Sequence, residues 1–474
     1  MILRIRLILR EIIAFLFGIP FPFHYICGGY EKLIIMRSLR IYRLLLLGGL
    51  AMMLALPLNA RGKEPPVADA AIDVSLSSEE LDFSFYGKSL HAARLQPVKL
   101  KSVRDHDVFQ AWNDYKKRDA SSVVASLRSL SDEMGLNDWF TFELVRDYAG
   151  GLLCDGAPED RVLLEHFLLM SMGYDIRLAR TERQLLLLVP FEQEVYAHYY
   201  IKIDGKDYYL FFDHLEADLH EKSVIYPCDP SKKDLGKGKV FNLLFKDKAL
   251  NVESDEDSMR DFDDGQIHVA CIINPLVMRM LRDYPLMDLQ IYAASVVLPQ
   301  FHVEIQEQLT SQLEGMSQCD AADALLHFVQ YVFGYEDDEK QYGQDKVNFV
   351  EENFFYDKND CEDRSILYAF LVNSLLGLDV QFVQYPGHEC TAVRFTECFT
   401  RGNGYYYGDD YYLICDPSYV GAPIGRCMPQ YRSLQPSVKT LVPVSVSSEK
   451  ESPLEPRLDH KLLFSDIIIE TKTL

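Results

Sequence analysis

The chain has 474 residues, is 48% hydrophobic and 12% aromatic, and carries 71 Asp and Glu against 48 Lys and Arg, a formal net charge of −23. That length is more than one ordinary domain needs, so two globular units with packed cores are the expectation. A surface this acidic repels nucleic-acid phosphates and anionic lipid, and neither a basic stripe nor a CxxC or Cys/His zinc spacing occurs, which excludes nucleic acid as a partner.

Residues 1–60 form a leader. "MRSLRIYRLLLLGGLAMMLALPLNARGKEPP" starts at Met36, sets Arg37, Arg40 and Arg43 before an apolar run, and closes on the small residues Asn59 and Ala60. This is the layout of a secretory signal peptide. Pro20, Pro22 and His24 break up the preceding stretch, so Met36 reads as the true start. A retained membrane anchor is the rival reading; with cleavage, no membrane span is expected. Removing the leader leaves 41 basic and 69 acidic residues, a net charge near −28. Export to the periplasm or cell envelope is the expectation. Nine of the 10 cysteines follow the leader. An odd number leaves at least one thiol unpaired within the chain, whether the others form disulfides or stay free and buried.

Residues 61–104, with patches such as "LDFSFYG", read as an N-terminal β segment. Residues 105–250 turn from helical to strand-like patterning. Residues 251–290 begin with "NVESDEDSMRDFDDGQ", an acidic stretch expected to be a solvated linker; it is no calcium loop, because Arg260 stands where the first aspartate is required. Residues 291–435 repeat the helix-then-strand order, and 436–474 read as a polar tail.

The two halves resemble each other. "PEDRVLLEHFLLMSMGYDIRLAR" from Pro158 aligns with "CEDRSILYAFLVNSLLGLDVQFVQ" from Cys361, and "GKDYYLFFDHL" from Gly205 with "GDDYYLICDPS" from Gly408, both at a shift of 203 residues. The Gly-x-Asp helix exits at Gly173 and Gly377 are one residue out of step, and a shift that holds to within one residue implies a tandem duplication of one helix-plus-sheet domain.

In the second copy, Asn359 or Asp360 can cap a helix whose apolar positions Ile366, Leu367, Phe370, Leu371 and Leu375 recur at helical spacing and which Gly377 ends. Cys361 then sits in the first turn, where the helix dipole is expected to lower its thiol pKa. "DVQFVQY" and "HECTAVRF" read as strands around a Pro386-Gly387 turn, with His388 at the start of the second, and "YYLIC" as a further strand ending at Asp416. Cys361, His388 and Asp416 can thus serve as nucleophile, base and orienter, although each alone has an ordinary structural reading. Asp360, Glu362 and Asp363 crowd the thiol with negative charge, so they either cap backbone N–H groups and pair with Arg364 or hold a hard cation.

A Cys at a helix start followed by His and Asp on successive strands resembles the transglutaminase-like branch of the papain-like superfamily. The strings "NDCEDRS", "LLGLDV", "PGHECTAV" and "YYLICDPSY" carry the resemblance, which covers roughly Ala321 to Tyr431. The chain also resembles bacterial periplasmic transglutaminase-like cysteine proteinases, in which an acidic "DCED" surrounds the nucleophile and calcium is used. By that resemblance Asp360 and Glu362 match calcium-associated acids, though the proposed chemistry itself requires no cofactor. A family-type oxyanion hole would combine the Cys361 N–H with a side-chain donor, for which Tyr356, Gln341 and Gln344 are the candidates. In the first copy the same shift puts Pro158 at the cysteine position, Leu185 or Gln184 at the histidine position, and Asp213 at the aspartate position. Cys154 and His198 are the nearby replacements to consider, and Cys154 precedes the expected helix start.

The expected fold is α+β, with two tandem papain/transglutaminase-like domains, each a helix packed on an antiparallel sheet, the first degenerate. The expected function is an exported cysteine-dependent amide hydrolase or acyl transferase working through a thioester on a protein or peptide, such as a cell-envelope peptide. The alternative is a binding or scaffold protein in which both copies are inert.

Overall fold

The computed structural model describes residues 80–212, 224–230, 236–245, 249–397, 402–441 and 470–471. The leader, with its expected cleavage site, and Asp213 lie outside the described residues. Residues 337–345 belong to a separate unit and hold the short helix Asp338–Gln341, with Lys340 paired to Asp337 at 3.1 Å. Gln341 and Gln344 lie in that unit, and the elements that follow all belong to the other one.

The chain enters through a hairpin, β1 (Glu80–Phe85) and β2 (Lys88–Ala93). Its two-residue turn has Tyr86 at φ 47° and Gly87 at φ 93°, the paired positive φ values of a tight turn that matches strand twist. Leu81, Phe83 and Phe85 alternate inward, as a half-buried strand requires, and rest on the third of four helices. These are α1 (Asp105–Lys116), α2 (Ser121–Glu133), α3 (Asp138–Leu152) and α4 (Pro158–Ser171). Tyr148 of α3 ties the hairpin exit down, donating to the Ala93 carbonyl at 2.9 Å and accepting from the Leu95 N–H at 3.1 Å.

The first sheet follows: β3 (Arg177–Arg180), β4 (Leu185–Val189), β5 (Tyr199–Ile203), β6 (Lys206–Phe211) and the short β7 (Tyr226–Pro227). The acidic stretch expected to be a linker instead supplies β8 (Ser258–Asp263), which pairs antiparallel with β9 (His268–Ile273). Its charges mislead because only one face of β8 is wet. Phe262 packs on Phe333 and Phe354 with ring centroids 5.3 and 5.2 Å away, and the buried Asp264 carboxylate meets His327 Nδ1 at 2.6 Å.

Beyond two short helices, Pro275–Leu281 and Leu289–Ala294, come α5 (Pro299–Leu313), α6 (Gln318–Val332) and a parallel pair, β10 (Gly334–Tyr335) with β11 (Lys358–Asn359). Then follow α7 (Cys361–Leu376), β12 (Asp379–Tyr385), β13 (His388–Arg394), β14 (Gly404–Tyr407), β15 (Asp410–Cys415) and β16 (Ser437–Thr440). The expected polar tail therefore begins with a sheet strand, β16, which pairs with β12 from Gln381–Thr440 to Gln384–Ser437. Glu470 and Thr471 form β17, an edge strand on β5.

The two sheets share one strand order. The first runs β5-β6-β4-β3-β7, with β17 added outside β5, and the second runs β14-β15-β13-β12-β16. Within both of these larger sheets the pairing is antiparallel. In each half a helix packs on the sheet and a preceding helix packs on it in turn, α3 behind α4 and α6 behind α7. The architecture is mixed α+β, with which a tandem arrangement is compatible. One apolar core runs through both halves, and Phe140, Phe245, Tyr284 and Phe349 bridge them with ring centroids 5.1–6.2 Å apart. Among the described residues no helix is long and apolar enough to cross a membrane.

Candidate active site

Helix α7 starts where capping chemistry dictates. Asp360 is the N-cap and its Oδ1 accepts from the N–H groups of Glu362 at 3.0 Å and Asp363 at 3.2 Å. Asp363 returns the contact to the Asp360 N–H at 3.5 Å, and Asn348 holds it with a backbone N–H at 2.8 Å and a side-chain N–H at 2.7 Å. Cys361 is the first helical residue; the cap takes the N–H groups of the two residues after it and not its own. At the other end Gly377 adopts φ 63° and its N–H reaches the Asn373 carbonyl, an αL stop that a Cβ would strain.

Arg364 does not pair with these acids by an ion-pair contact to a carboxylate in the way the sequence suggested. It is buried, donating through Nη2 to the Phe333 carbonyl at 2.7 Å and through Nη1 to the Pro417 carbonyl at 3.4 Å, with its guanidinium over Tyr335. It therefore staples α7 to the loop that follows β15.

His388 heads β13 directly after the Pro386-Gly387 turn, where Gly387 sits at φ 70°. Its Nε2 meets Asp416 Oδ2 at 2.9 Å, with both side chains largely buried. The other carboxylate oxygen, Oδ1, accepts from the N–H groups of Ser418 at 3.0 Å and Tyr419 at 3.1 Å. Gln330 of α6 clamps the same loop, donating to the carbonyls of Asp416 and Ala422 at 3.0 Å and accepting from the Gly421 N–H at 3.0 Å. Tyr431 stacks on the imidazole with centroids 5.2 Å apart and planes 6° apart, and Tyr385 stacks behind it at 4.8 Å. Engagement of Nε2 leaves Nδ1 as the ring nitrogen open to a reacting partner.

The backbone N–H of Glu389, the residue next to His388, approaches the Cys361 thiol and acts to lower its pKa. The thiol pKa differs from expectation: burial pushes it well up, the Asp360 carboxylate adds to that, the Glu389 N–H pulls it down, and Glu362 and Glu389 push it up again. Dehydration and the neighbouring acids together hold the thiol pKa up. Burial of this kind favours the neutral thiol over the thiolate.

Asp360 thus acts as a cap, and Glu362 turns to a pocket that Glu389 also lines. Asp360 Oδ1 accepts from two amides and Asp363 is held by Asn348, so two of the acids that crowd the thiol cap the helix start. Tyr356 is half-buried near Glu352 and Asp363, its hydroxyl pKa driven up by burial.

In the first half, Pro158 opens α4 as Cys361 opens α7, and Leu185 opens β4 as His388 opens β13. Neither offers a nucleophile or a base. Of the nearby alternatives, Cys154 is exposed ahead of α4 and His198 is packed against Phe211, with burial lowering its pKa. Among the described cysteines 154, 228, 271, 361, 390, 415 and 427 are free and Cys319 is disulfide-bonded. Gln330, Tyr431, Asn348 and Glu389 complete the surroundings of the triad residues. Sequence reading missed the first three because they arrive from distant elements. It missed Glu389 because a glutamate beside a histidine on a strand carries no signal of its own.

Comparison with models of known protein families and with curated proteins finds no match for this chain.

Proposed function

We propose that this protein is a cysteine-dependent amide hydrolase or acyl transferase with a transglutaminase-like domain duplicated in tandem, the second copy catalytic and the first degenerate. The observation that carries the reading is the His388–Asp416 hydrogen bond of 2.9 Å at the strand ends, with Cys361 at the helix N-terminus and its thiol approached by the N–H of Glu389, the neighbour of His388. In the proposed cycle, His388 Nδ1 takes the proton from Cys361 as its sulfur attacks the amide carbonyl. Asp416 stabilises the imidazolium that forms. The uncapped Cys361 N–H stabilises the oxyanion. His388 then protonates the leaving amine, and the thioester is resolved by water or by a second amine, with His388 again taking the proton. The shared strand order supports the duplication, and the coincidence of Pro158 with Cys361 and of Leu185 with His388 supports an inert first copy.

Substrates are proteins or peptides of the cell envelope, and the leader directs export, a reading supported by its charge and apolar layout and compatible with a disulfide at Cys319. The test compares new N-termini and deamidated side chains in envelope proteins treated with wild type or with Cys361→Ala. Products unique to the wild type support the reading; identical profiles on a substrate that wild type does process would return the chain to a binding scaffold.

A further inference from the structure

Strand pairing puts Phe382, Gln384, Glu389, Ser437 and Lys439 on one face of the second sheet, because Gln384 is opposite Glu389 and Ser437, and Phe382 is opposite Lys439. With Asp288, Leu289 and Gln290 above them and Glu362 from the first turn of α7, they line a shallow, solvent-open pocket. The pocket borders the candidate nucleophile through one residue: Glu389 offers its N–H to the Cys361 sulfur and turns its side chain into the pocket.

Glu389 is only 5% exposed, yet its carboxyl makes no hydrogen bond or ion pair among the described residues. Nearby Lys439 does not serve it, because the ammonium is already paired with Asp288, which also accepts from the Tyr196 hydroxyl at 2.7 Å. Burial, joined by the like charge of Glu362, raises the Glu389 pKa to about 8, and Lys439 pulls against them. A carboxyl this deeply set keeps only the solvent that reaches it through the pocket mouth, a place that a cationic ligand can take. The groups facing it, Glu362 from α7, Lys439 from β16, Asp288 before the short helix and the thiol of Cys361, leave a net negative site. An anionic ligand would meet Glu362, whereas a cation would meet two carboxyls. Phe382 and Leu289 provide an apolar wall for a methylene stem.

We propose that this pocket binds a lysine-like cationic side chain of the substrate, with its stem on Phe382 and Leu289 and its ammonium between Glu362 and Glu389. The proposal rests on the catalytic reading only for the word substrate; the binding is independent of turnover. Binding of the cation draws the Glu389 proton off, so protons are released to the solvent near neutral pH.

The test titrates Nα-acetyl-lysine methylamide and its uncharged counterpart, Nα-acetyl-norleucine methylamide, into full-length Cys361→Ala protein by calorimetry at pH 7 in two buffers of different ionisation enthalpy. The lysine compound should bind about tenfold tighter and release protons. Glu389→Gln and, separately, Glu362→Gln should each remove most of that preference, with thermal melts confirming that both variants fold. Equal affinity for the two compounds, or a preference unchanged in both variants, overturns the proposal. Selective binding by Cys361→Ala, combined with no turnover of either type of amide by wild type, would uphold the pocket and strike the catalytic reading alone.

Discussion

Asp416→Asn isolates the part of the site that geometry defines best. Asp416 Oδ1 accepts two backbone N–H groups, from Ser418 and Tyr419, and Oδ2 faces His388 Nε2. An asparagine must keep its carbonyl oxygen on the two N–H donors, so its amide NH2 points at the imidazole. That forces Nε2 to accept and moves the ring proton to Nδ1, the nitrogen that has to receive the thiol proton. The variant also loses the carboxylate that stabilises the imidazolium, a charged hydrogen bond contributing roughly 1.5–3 kcal/mol. With the tautomer penalty added, the loss is about 3–5 kcal/mol, or roughly 10²–10⁴ in kcat/KM. The fold should lose roughly 1 kcal/mol or less, because both backbone hydrogen bonds to Oδ1 persist. The assay pairs kcat/KM on a substrate processed by wild type with the rate of Cys361 alkylation by iodoacetamide, read by intact mass, and a thermal melt. Alkylation and turnover both unchanged in a folded Asp416→Asn protein would refute the tautomer argument, and with it the assignment of His388 as base.

Glu362→Gln removes one of the carboxylates that hold the Cys361 thiol up, so alkylation at fixed neutral pH should accelerate by roughly two- to tenfold, checked by following the modified mass over a pH series. Glu389→Gln should flatten the pH dependence of stability. The folded-state pKa of about 8 stands above the ordinary 4.5, so the Glu389 contribution is intact below pH 4.5 and is lost as pH rises to 8. Urea midpoints at pH 5 and pH 9 should therefore show wild type losing more than the variant, by an amount on the order of 4 kcal/mol. Chelation with EDTA should leave the melting temperature unchanged if Asp360 and Asp363 act as caps; a fall reversed by calcium would show that the acids hold a cation.

Much of the second half was legible because its signals are local. Asp360, Asp363 and Gly377 mark the two ends of α7 through hydrogen bonds that span only a few residues, and Pro386-Gly387 marks a tight turn through its own backbone preferences, so Cys361 and His388 fall at element starts where the sequence put them. The shift of 203 residues, which holds to within one residue, likewise forecast matching helix and strand starts, and the common strand order is compatible with it. Charge counting failed for 251–266, because acidity describes only the wet face of β8 and says nothing of Phe262 on the other. It failed again for β16, where pairing with β12 depends on backbone groups rather than on apolar side chains. The thiol's upward shift, the Gln330 clamp, the Tyr431 stack and the unpartnered Glu389 carboxyl were decided by tertiary structure alone. Desolvation and partnership depend on which distant segments close over a group. A sequence specifies which residues can cap, turn or pair along the chain, but only packing sets how much water each charge keeps.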